Sequence, residues 1–274
     1  MIRELGAYGL RLGGVTHAAR LMIAQAPGAP MLELRVQPAP PDESPSFIGR
    51  DAADLRLLGG GRLRARRGEG VVTFALPEPV RPDELVHPYL AAAAALVWQW
   101  EAREALHGGV FTFGEGAIVL FGGKESGKST TLARLAGERD AAVLADDLAV
   151  LDGGRALAGP RSLDLRPNGR RCEGDPVRRG ERIRIQLPPS PPSMPVAGSI
   201  MLDWGAEVKV QQVPVRDRLA VLAAQRTYPL PGDPVALLEL ATRPIYAITR
   251  PRTLDALAAT IAAVRRCFGK RGPT

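Results

Sequence analysis

A short apolar run that breaks into a glycine-rich loop constrains this chain more than any other feature. The stretch VLFGGKESGKSTTL, residues 119–132, passes through Gly122 and Gly127 and then reaches Lys128 and Ser129. It satisfies the GxxxxGK[ST] pattern in the required context, with a strand before it and a helix after it. Glycines let successive backbone N–H groups point at one anion, and the start of the helix adds its positive dipole end. The stretch therefore predicts a phosphate-binding loop in an α/β fold.

The residues expected to hold a nucleotide occupy this loop and the first turn of the helix after it. Lys128 supplies a flexible positive charge for the terminal phosphates, and the hydroxyl of Ser129 suits Mg²⁺. The predicted nucleotide-binding residues are Gly122, Gly123, Lys124, Glu125, Ser126, Gly127, Lys128, Ser129 and Thr130.

Two adjacent aspartates, Asp146 and Asp147, follow the next apolar segment, in AAVLADDLAVLDGG. A strand that comes after the loop helix and ends in aspartate is where a P-loop enzyme holds its metal. One carboxylate explains Mg²⁺ binding. The second either accepts a proton from an attacking hydroxyl, which would make the protein a phosphotransferase, or caps the following turn.

His107 follows a helix-forming segment. The alanine-rich run YLAAAAALVWQW, residues 89–100, predicts a helix that Gly108–Gly109 would end. A histidine at a helix end is either a structural cap or a catalytic group, and the sequence leaves both open. Trp98 and Trp100 cannot share a helix face, so we expect one to pack inward and the other toward the N-terminal residues.

The first part of the chain, residues 1–83, has the alternation and the turn residues of a β-rich domain, a candidate docking domain for substrate. We place a boundary near Pro82 and a catalytic domain over 84–274. The segment GGGRLRARRGEGVVTFAL predicts a hairpin whose first arm places three arginines on one sheet face, which is either solvated or docks an acidic peptide. The three are Arg62, Arg64 and Arg66.

Two later segments also carry expectations. The arginine-rich residues 166–185 are predicted to be mobile or surface-exposed, and arginines of the 161–184 region, such as Arg166 and Arg171, are candidates for clamping phosphate or substrate. The segment TLDALAATIAAVRRCF predicts an amphipathic closing helix. Its apolar positions at helical spacing are Leu254, Leu257, Ile261 and Val264.

Composition excludes several classes of protein. With 45% hydrophobic and 24% charged residues the chain is ordinary for a soluble globular protein. Its net charge of +7 either favours acidic partners such as nucleotides or reflects a compositional bias toward arginine and alanine. Cys172 and Cys267 have neither CxxC spacing nor a nearby histidine pair, which argues against a disulfide framework or a zinc site. The N-terminus lacks signal-peptide character, and the longest apolar run is too short to span a bilayer. We expect a cytoplasmic protein without a membrane partner.

The segment LHGGVFTFGEGAIVLFGGKESGKS followed by VLADD resembles the catalytic domain of the HPr kinase/phosphorylase family, and more closely the broader group of HPr-kinase-like serine kinases. Some of that group are associated with biosynthesis of ribosomal peptides such as lasso peptides. The resemblance covers residues 86–152 best. It implies a P-loop kinase-like domain after a small β-rich domain, ATP and Mg²⁺ as cofactors, and a serine or threonine hydroxyl of a peptide or protein as acceptor. A second copy of the chain is a further candidate partner.

The resemblance also implies roles for individual residues. Carried over by position, Asp146 would orient or deprotonate the acceptor hydroxyl, with Lys128 on the phosphates, and Asp147 would join Ser129 at the metal. His107 would lie beside the active-site aspartate. The chain departs from the family at the residue after Lys-Ser, which is Thr130 instead of an acidic residue.

Other functions remain open at this point. A kinase of a small-molecule hydroxyl fits the same motif, although a basic N-terminal sheet favours a peptide acceptor. A catalytically silent nucleotide-binding scaffold has no evident use for two carboxylates. A transport ATPase would need a glutamate directly after the strand aspartate, where Asp147 and Leu148 stand instead. Nucleic-acid binding is disfavoured because the sequence offers no aromatic–basic platform.

Overall fold

The computed structural model describes residues 4–57, 60–81, 83–166, 175–177 and 182–268. Within these ranges the chain forms a mixed α/β fold of three sheets and five α-helices. The predicted boundary residue Pro82, Arg171 and Cys172 lie outside the described residues. No helix in the described ranges is both long and apolar enough to span a membrane.

The N-terminal residues form an eight-stranded sheet in the spatial order β3-β1-β2-β4-β8-β7-β6-β5. Its strands are β1 Leu5–Ala7, β2 Leu10–Gly13, β3 Ile23–Ala24, β4 Met31–Pro38, β5 Phe47–Ile48, β6 Ala52–Arg56, β7 Arg62–Arg66 and β8 Val71–Leu76. The predicted hairpin is confirmed, because β7 and β8 pair antiparallel with Leu63 opposite Phe74. Both side chains are buried and belong to one apolar core that continues into the rest of the chain.

The arginines of β7 do not form an open docking face. Arg62 is 3% exposed and donates to Asp54 at 2.7 Å. Arg64 donates to the same carboxylate at 3.1 Å and lies 3.6 Å from Asp42, which leaves only Arg66 without a described ion pair. Arg62 is therefore neither solvated nor available to dock an acidic peptide, and both predictions are wrong for this residue. Alternation predicts which residues share a face, but it does not predict the carboxylates that the neighbouring strand supplies.

A nine-stranded sheet forms the second part of the fold, in the spatial order β12-β10-β11-β18-β14-β13-β9. Strand β20 pairs with residues 199–204 of β18 on the edge opposite β11, and β19 pairs with β20. Its strands are β9 Glu104–Leu106, β10 Gly109–Thr112, β11 Ala117–Phe121, β12 Ala142–Ala145, β13 Ala149–Asp152, β14 Arg155–Leu157, β18 Ser193–Trp204, β19 Lys209–Gln212 and β20 Ile245–Arg250. Strand β10 is antiparallel to both β11 and β12. Strands β11 and β12 therefore run in the same direction, and their C-terminal ends lie at one edge of the sheet.

The helices cover this second sheet, and a small third sheet in the order β15-β17-β16 lies beside it. These elements are α1 Leu90–Trp100, α2 Lys128–Ala136, α3 Val215–Ala223, α4 Pro234–Thr242, α5 Ala256–Phe268, β15 Ser162–Leu165, β16 Asp175–Val177 and β17 Arg182–Gln186. Helix α5 is the predicted closing helix, and it buries Leu257, Ile261 and Val264. Leu254 is a correction, because it precedes the helix and is 40% exposed.

Helix α1 is shorter than predicted. It ends at Trp100 instead of continuing to Gly108–Gly109, because Ala102 adopts a left-handed conformation with φ of 55°. The chain then forms strand β9, which pairs antiparallel with β13. His107 therefore follows a strand and does not cap a helix.

Trp98 and Trp100, at the end of α1, also differ from expectation. Both are buried, and both donate to N-terminal carbonyl groups, Trp98 to Tyr8 at 2.6 Å and Trp100 to Gly49 at 3.0 Å. Positions two apart point in nearly opposite directions on a helix, so N-terminal residues lie on two sides of its last turn.

Candidate active site

The predicted strand, loop and helix occur where the glycine pattern places them. Strand β11 ends at Phe121, α2 begins at Lys128, and residues 122–127 form the connection, called the glycine loop below. Gly122 and Gly127 have φ of 152° and 85°, which side chains rarely adopt. A Cβ on Gly122 would also lie 2.6 Å from the carbonyl oxygen of Leu202. The tight turn thus requires both glycines.

Lys128 is folded back onto the glycine loop. Its ammonium donates to the carbonyl groups of Gly122 at 2.7 Å and Gly123 at 3.2 Å, and the residue is 7% exposed. Burial lowers the pKa of Lys128, while the nearby charges of Asp147 and Asp146 act in the opposite direction. The ammonium donates only to neutral carbonyl groups, which phosphate oxygens can replace.

Arg250 places a second cation beneath the glycine loop. It is 2% exposed, and its Nη2 lies 3.4 Å from the carbonyl oxygen of Ser126 and 3.5 Å from that of Gly127. Burial lowers the pKa of Arg250. Within the described part of the chain no carboxylate forms an ion pair with it. A buried cation without a countercharge is costly, and a bound anion would remove that cost.

Two buried polar atoms at this loop lack hydrogen-bond partners among the described residues: Oγ of Ser126 and Nε of Arg250. Unsatisfied buried polar groups are rare in folded proteins and call for an explanation. A hydroxyl and a guanidinium N–H beside a nest of backbone N–H groups fit an anionic ligand such as a triphosphate.

Asp146 and Asp147 follow β12 at the sheet edge where the glycine loop also lies. Burial, followed by the charge of Asp147, raises the pKa of Asp146 to about 7, although a hydrogen bond from the Ser129 hydroxyl lowers it. The Asp147 N–H donates to Asp146 Oδ1 at 2.9 Å, and Asp147 itself has φ of 65°. Ser129 therefore lies near Asp146, whereas the resemblance places Ser129 and Asp147 together at the metal.

Asp147 faces two histidines. Its Oδ2 lies 3.0 Å from Nδ1 of His87, in the irregular turn Leu85–Tyr89 before α1. Burial acts to raise the pKa of Asp147, but the hydrogen bond and charge of His87, with His107 and Lys128, outweigh it and leave that pKa below its ordinary value. The sequence analysis missed His87, because no motif surrounds it and only the fold brings it to the aspartates.

His107 lies near Asp147, whereas the resemblance carries the active-site aspartate over to Asp146. The charge and backbone of Asp147 act to raise the pKa of His107, and the His107 backbone N–H donates to the Gln225 carbonyl group at 2.7 Å. Burial and then the charge of Lys128 lower the pKa of His107, which favours the neutral imidazole.

Tyr8 brings the N-terminal sheet to the same site. It is buried, its backbone is left-handed with φ of 55°, and its hydroxyl donates to the carbonyl group of Asp146 at 3.2 Å. Burial, with the charges of Asp147 and Asp146, raises the pKa of Tyr8 well above its ordinary value. A bulky residue in this conformation is strained, and such strain is concentrated at functional sites.

The exposed tip of the glycine loop carries an acidic residue. Glu125 accepts from Arg166 at 2.8 Å and lies 3.8 Å from Arg252. The hydrogen bond and charge of Arg166 lower the pKa of Glu125. Arg166, one of the two predicted clamp residues, thus reaches the loop. Lys124, next to Glu125, is also exposed, whereas Ser126 is buried.

Arg184 corrects the expectation that residues 166–185 are mobile or surface-exposed. It is buried and forms two hydrogen bonds with Asp164, at 2.7 and 2.6 Å, and a third with the Asp83 carbonyl group at 2.6 Å. Asp83 directly precedes the turn that carries His87. This buried ion pair therefore anchors the segment that supplies a histidine to the site.

The residues at hand fit a magnesium ion bound together with phosphate. The described residues contain no group of three or more histidine, cysteine or acidic side chains that could hold a metal. Ser129 and Asp146 supply hard oxygen atoms, and Mg²⁺ in nucleotide sites takes its remaining ligands from phosphates and water.

Comparison with known proteins finds distant similarity among solved structures. No family model and no curated protein matches the sequence. Among solved structures, the chain is similar to an Hpr(Ser) kinase/phosphatase from Coxiella burnetii, with a TM-score of 0.36 and 10% sequence identity over 60% of this chain and 95% of that chain. A similarity this distant does not assign an activity, so the function proposed below rests on the site's own residues.

Proposed function

We propose that the protein transfers the terminal phosphoryl group of ATP to a hydroxyl group. The observation that carries this proposal is the convergence of the start of α2 with the end of β12. Lys128 lies on the glycine loop, Ser129 is close enough to Asp146 to lower its pKa, and Asp147 faces two histidines. Phosphoryl transfer requires bound phosphates, neutralised charge and a positioned hydroxyl, and little covalent chemistry from the protein.

The glycine-loop side would bind the donor. Phosphate oxygens would replace the carbonyl groups of Gly122 and Gly123 as partners of the Lys128 ammonium, and backbone N–H groups would hold the same anion. Ser129 and Asp146 would hold Mg²⁺, which when bound supplies positive charge to the phosphate oxygens. Both residues lie at the same edge of the sheet, where Ser129 lowers the pKa of Asp146, and this proximity supports the pairing.

The Asp147 side would act on the acceptor. Asp147 would take the proton of the attacking hydroxyl, and His87, 3.0 Å away, would keep the carboxylate oriented. These roles reverse those implied by the resemblance, which gave the proton to Asp146 and the metal to Asp147. The raised pKa of Asp146 suits a base, but it reflects burial beside a second carboxylate.

The acceptor is proposed to be a serine or threonine of a peptide or protein. An open cleft of about 600 Å³ is lined by Ala223 and residues 226–231, and Arg226 of this segment pairs with Leu106, the residue before His107. An open cleft accommodates an extended chain. Two arginines of β7 pair with Asp54, so this strand gives no reason to prefer a peptide acceptor. A small-molecule hydroxyl is therefore the second acceptor class.

The experiment compares Asp146→Asn with Asp147→Asn, using exposed Asp255→Asn as the matched control. Calorimetry measures ATP binding with and without Mg²⁺, and labelled ATP measures transfer to serine and threonine peptides, small hydroxyl compounds and water. We expect Asp147→Asn to retain Mg²⁺-dependent binding and to lose about 100-fold or more of transfer. Asp146→Asn should lose the Mg²⁺ dependence of binding.

Three results would contradict the proposal. Full transfer by Asp147→Asn would show that another group accepts the proton of the attacking hydroxyl. Intact Mg²⁺ dependence of ATP binding in Asp146→Asn would show that Asp146 does not bind the metal. Binding of ATP by the unmodified protein without transfer to any acceptor, water included, would leave a silent nucleotide-binding scaffold.

A further inference from the structure

A tryptophan and two arginines meet beside the glycine loop. Trp204 and Arg250 are the last residues of β18 and β20, and they stand opposite each other in the parallel pairing of these strands. The guanidinium carbon of Arg250 lies 4.4 Å from the centre of the Trp204 ring, and that of Arg252 lies 5.7 Å from it. Both distances are within the range of cation–π contacts. The structure thus contains an aromatic–basic cluster that the sequence analysis did not find.

This cluster lies against Gly127, the residue that directly precedes α2. A Cβ on Gly127 would overlap the Arg250 guanidinium and lie 3.1 Å from Cη2 of Trp204. The edge of the Trp204 indole therefore lies close to the Gly127 backbone, which belongs to the loop that would hold the phosphates. In α/β sheets, ligands extend across the C-terminal ends of neighbouring parallel strands, and β11, β18 and β20 are such neighbours.

The two arginines differ in how freely they can move. Arg250 is buried and bonded to the loop, so it fixes the indole from within. Arg252 is 70% exposed, and its partner Glu125 is also at the surface. Trp204 itself is partly exposed, unlike the buried Trp98 and Trp100. The cluster is rigid on its inner side and accessible on its outer side.

We propose that Trp204 is the stacking platform for the base of the donor nucleotide, a subsite that rests on the proposed function. Arg250 holds the indole in place, and Arg252 lies against the base or moves aside for it. Stacking on an aromatic ring tolerates every base, because each has a π-face. The larger rings of purines cover more of the indole, so the subsite takes purine nucleoside triphosphates in preference to pyrimidine ones.

The test compares two anions that share phosphates and differ in the base. Calorimetry with Mg²⁺ measures ATP and inorganic tripolyphosphate binding to the unmodified protein, Trp204→Ala and Trp204→Phe, with Trp100→Phe as a control away from the loop. In Trp204→Ala we expect ATP affinity to fall about 5- to 100-fold and tripolyphosphate affinity to change less than about twofold. Trp204→Phe should retain most ATP affinity, and thermal melts confirm folding.

A fluorescence measurement gives an independent readout. The chain has three tryptophans, and Trp204 is the only one of them that is partly exposed. ATP should therefore change the emission of the unmodified protein and of Trp100→Phe, whereas the change should be lost in Trp204→Phe.

Equal losses of ATP and tripolyphosphate affinity in Trp204→Ala would overturn the proposal, because Trp204 would then only support the loop. Unchanged ATP affinity in that variant would also overturn it and would leave the phosphotransferase proposal intact. If the unmodified protein binds neither anion, the proposed function fails and this subsite fails with it.

Discussion

The two sides of the candidate site are built in opposite ways. On the glycine-loop side, one continuous stretch, residues 122–130, supplies the turn, the lysine and the serine. On the Asp147 side, the histidines and aspartates come from three separate segments, brought together by β9, β12 and the turn before α1. The first side depends on local backbone geometry, and the second depends on the packing of the whole fold. Substitutions far from the site should therefore damage the acceptor side first.

The largest effect on this comparison is expected from the buried ion pair that anchors the His87 segment. Arg184→Met removes the partner of Asp164 and leaves a buried carboxylate unpaired, which should lower the free energy of unfolding by about 3–5 kcal/mol. Urea denaturation measures the change. The double variant Arg184→Met/Asp164→Leu is the control, because removing both charges should recover much of the loss. A loss below about 1 kcal/mol would show that the pair does not anchor the segment.

A smaller and more selective effect is expected at His87. His87→Gln removes the imidazole that orients Asp147 and keeps a side chain that can hydrogen-bond, so transfer should fall about 10- to 100-fold while ATP affinity stays within about twofold. Single-turnover assays and calorimetry separate the two. His17→Gln, in the short 3-10 helix Thr16–Leu21, is the matched control. An equal fall in ATP affinity would show that His87 also supports donor binding, which would contradict the separate roles of the two sides.

The pH dependence of stability tests the burial of Asp146. Its pKa rises from 3.8 to about 7 in the folded protein, so the folded state holds this proton more tightly than the unfolded chain does. The free energy of unfolding should therefore be highest below the lower pKa and fall as pH rises toward the higher one. The pKa of Asp147 is lowered in the folded protein, so the contribution of Asp147 to the free energy of unfolding increases as pH rises through the acidic range.

In metal-free buffer, Asp146→Asn should remove this fall, which we expect to be on the order of 1–3 kcal/mol. Denaturant unfolding at several pH values measures it, with Asp255→Asn as the control. If the free energy of unfolding changes with pH in the same way in Asp146→Asn and in the unmodified protein, the raised pKa assigned to Asp146 is contradicted.

The smallest effect is expected in the N-terminal sheet. Arg64→Ala removes a half-exposed ion pair with Asp54, so stability should change by less than about 1 kcal/mol, and transfer should not change. A large loss of transfer to peptides alone would restore the docking role of this face.

The sequence predicted the local features of the molecule well and the long-range ones poorly. The glycine loop, helix α2, the β7–β8 hairpin and the strand before the aspartates follow from short patterns of glycine, alternation and helical spacing. The end of α1 did not, because the left-handed Ala102 and the pairing of β9 with β13 override a strong helix propensity. His87, Arg250 and Trp204 lie far from the loop in the chain, and their roles depend on which strands become neighbours. The division into residues 1–83 and 84–274 stays a prediction.

The most direct test of the central claim is Mg²⁺-dependent ATP binding by the unmodified protein and by Lys128→Met, measured by calorimetry. If the glycine loop holds a triphosphate, the unmodified protein should bind ATP more tightly with Mg²⁺ than without it. Lys128→Met, folded by its thermal melt, should lose about 100-fold or more in affinity, as expected for a charge-assisted contact that is desolvated. Equal binding by the two proteins, or none by either, would contradict the claim.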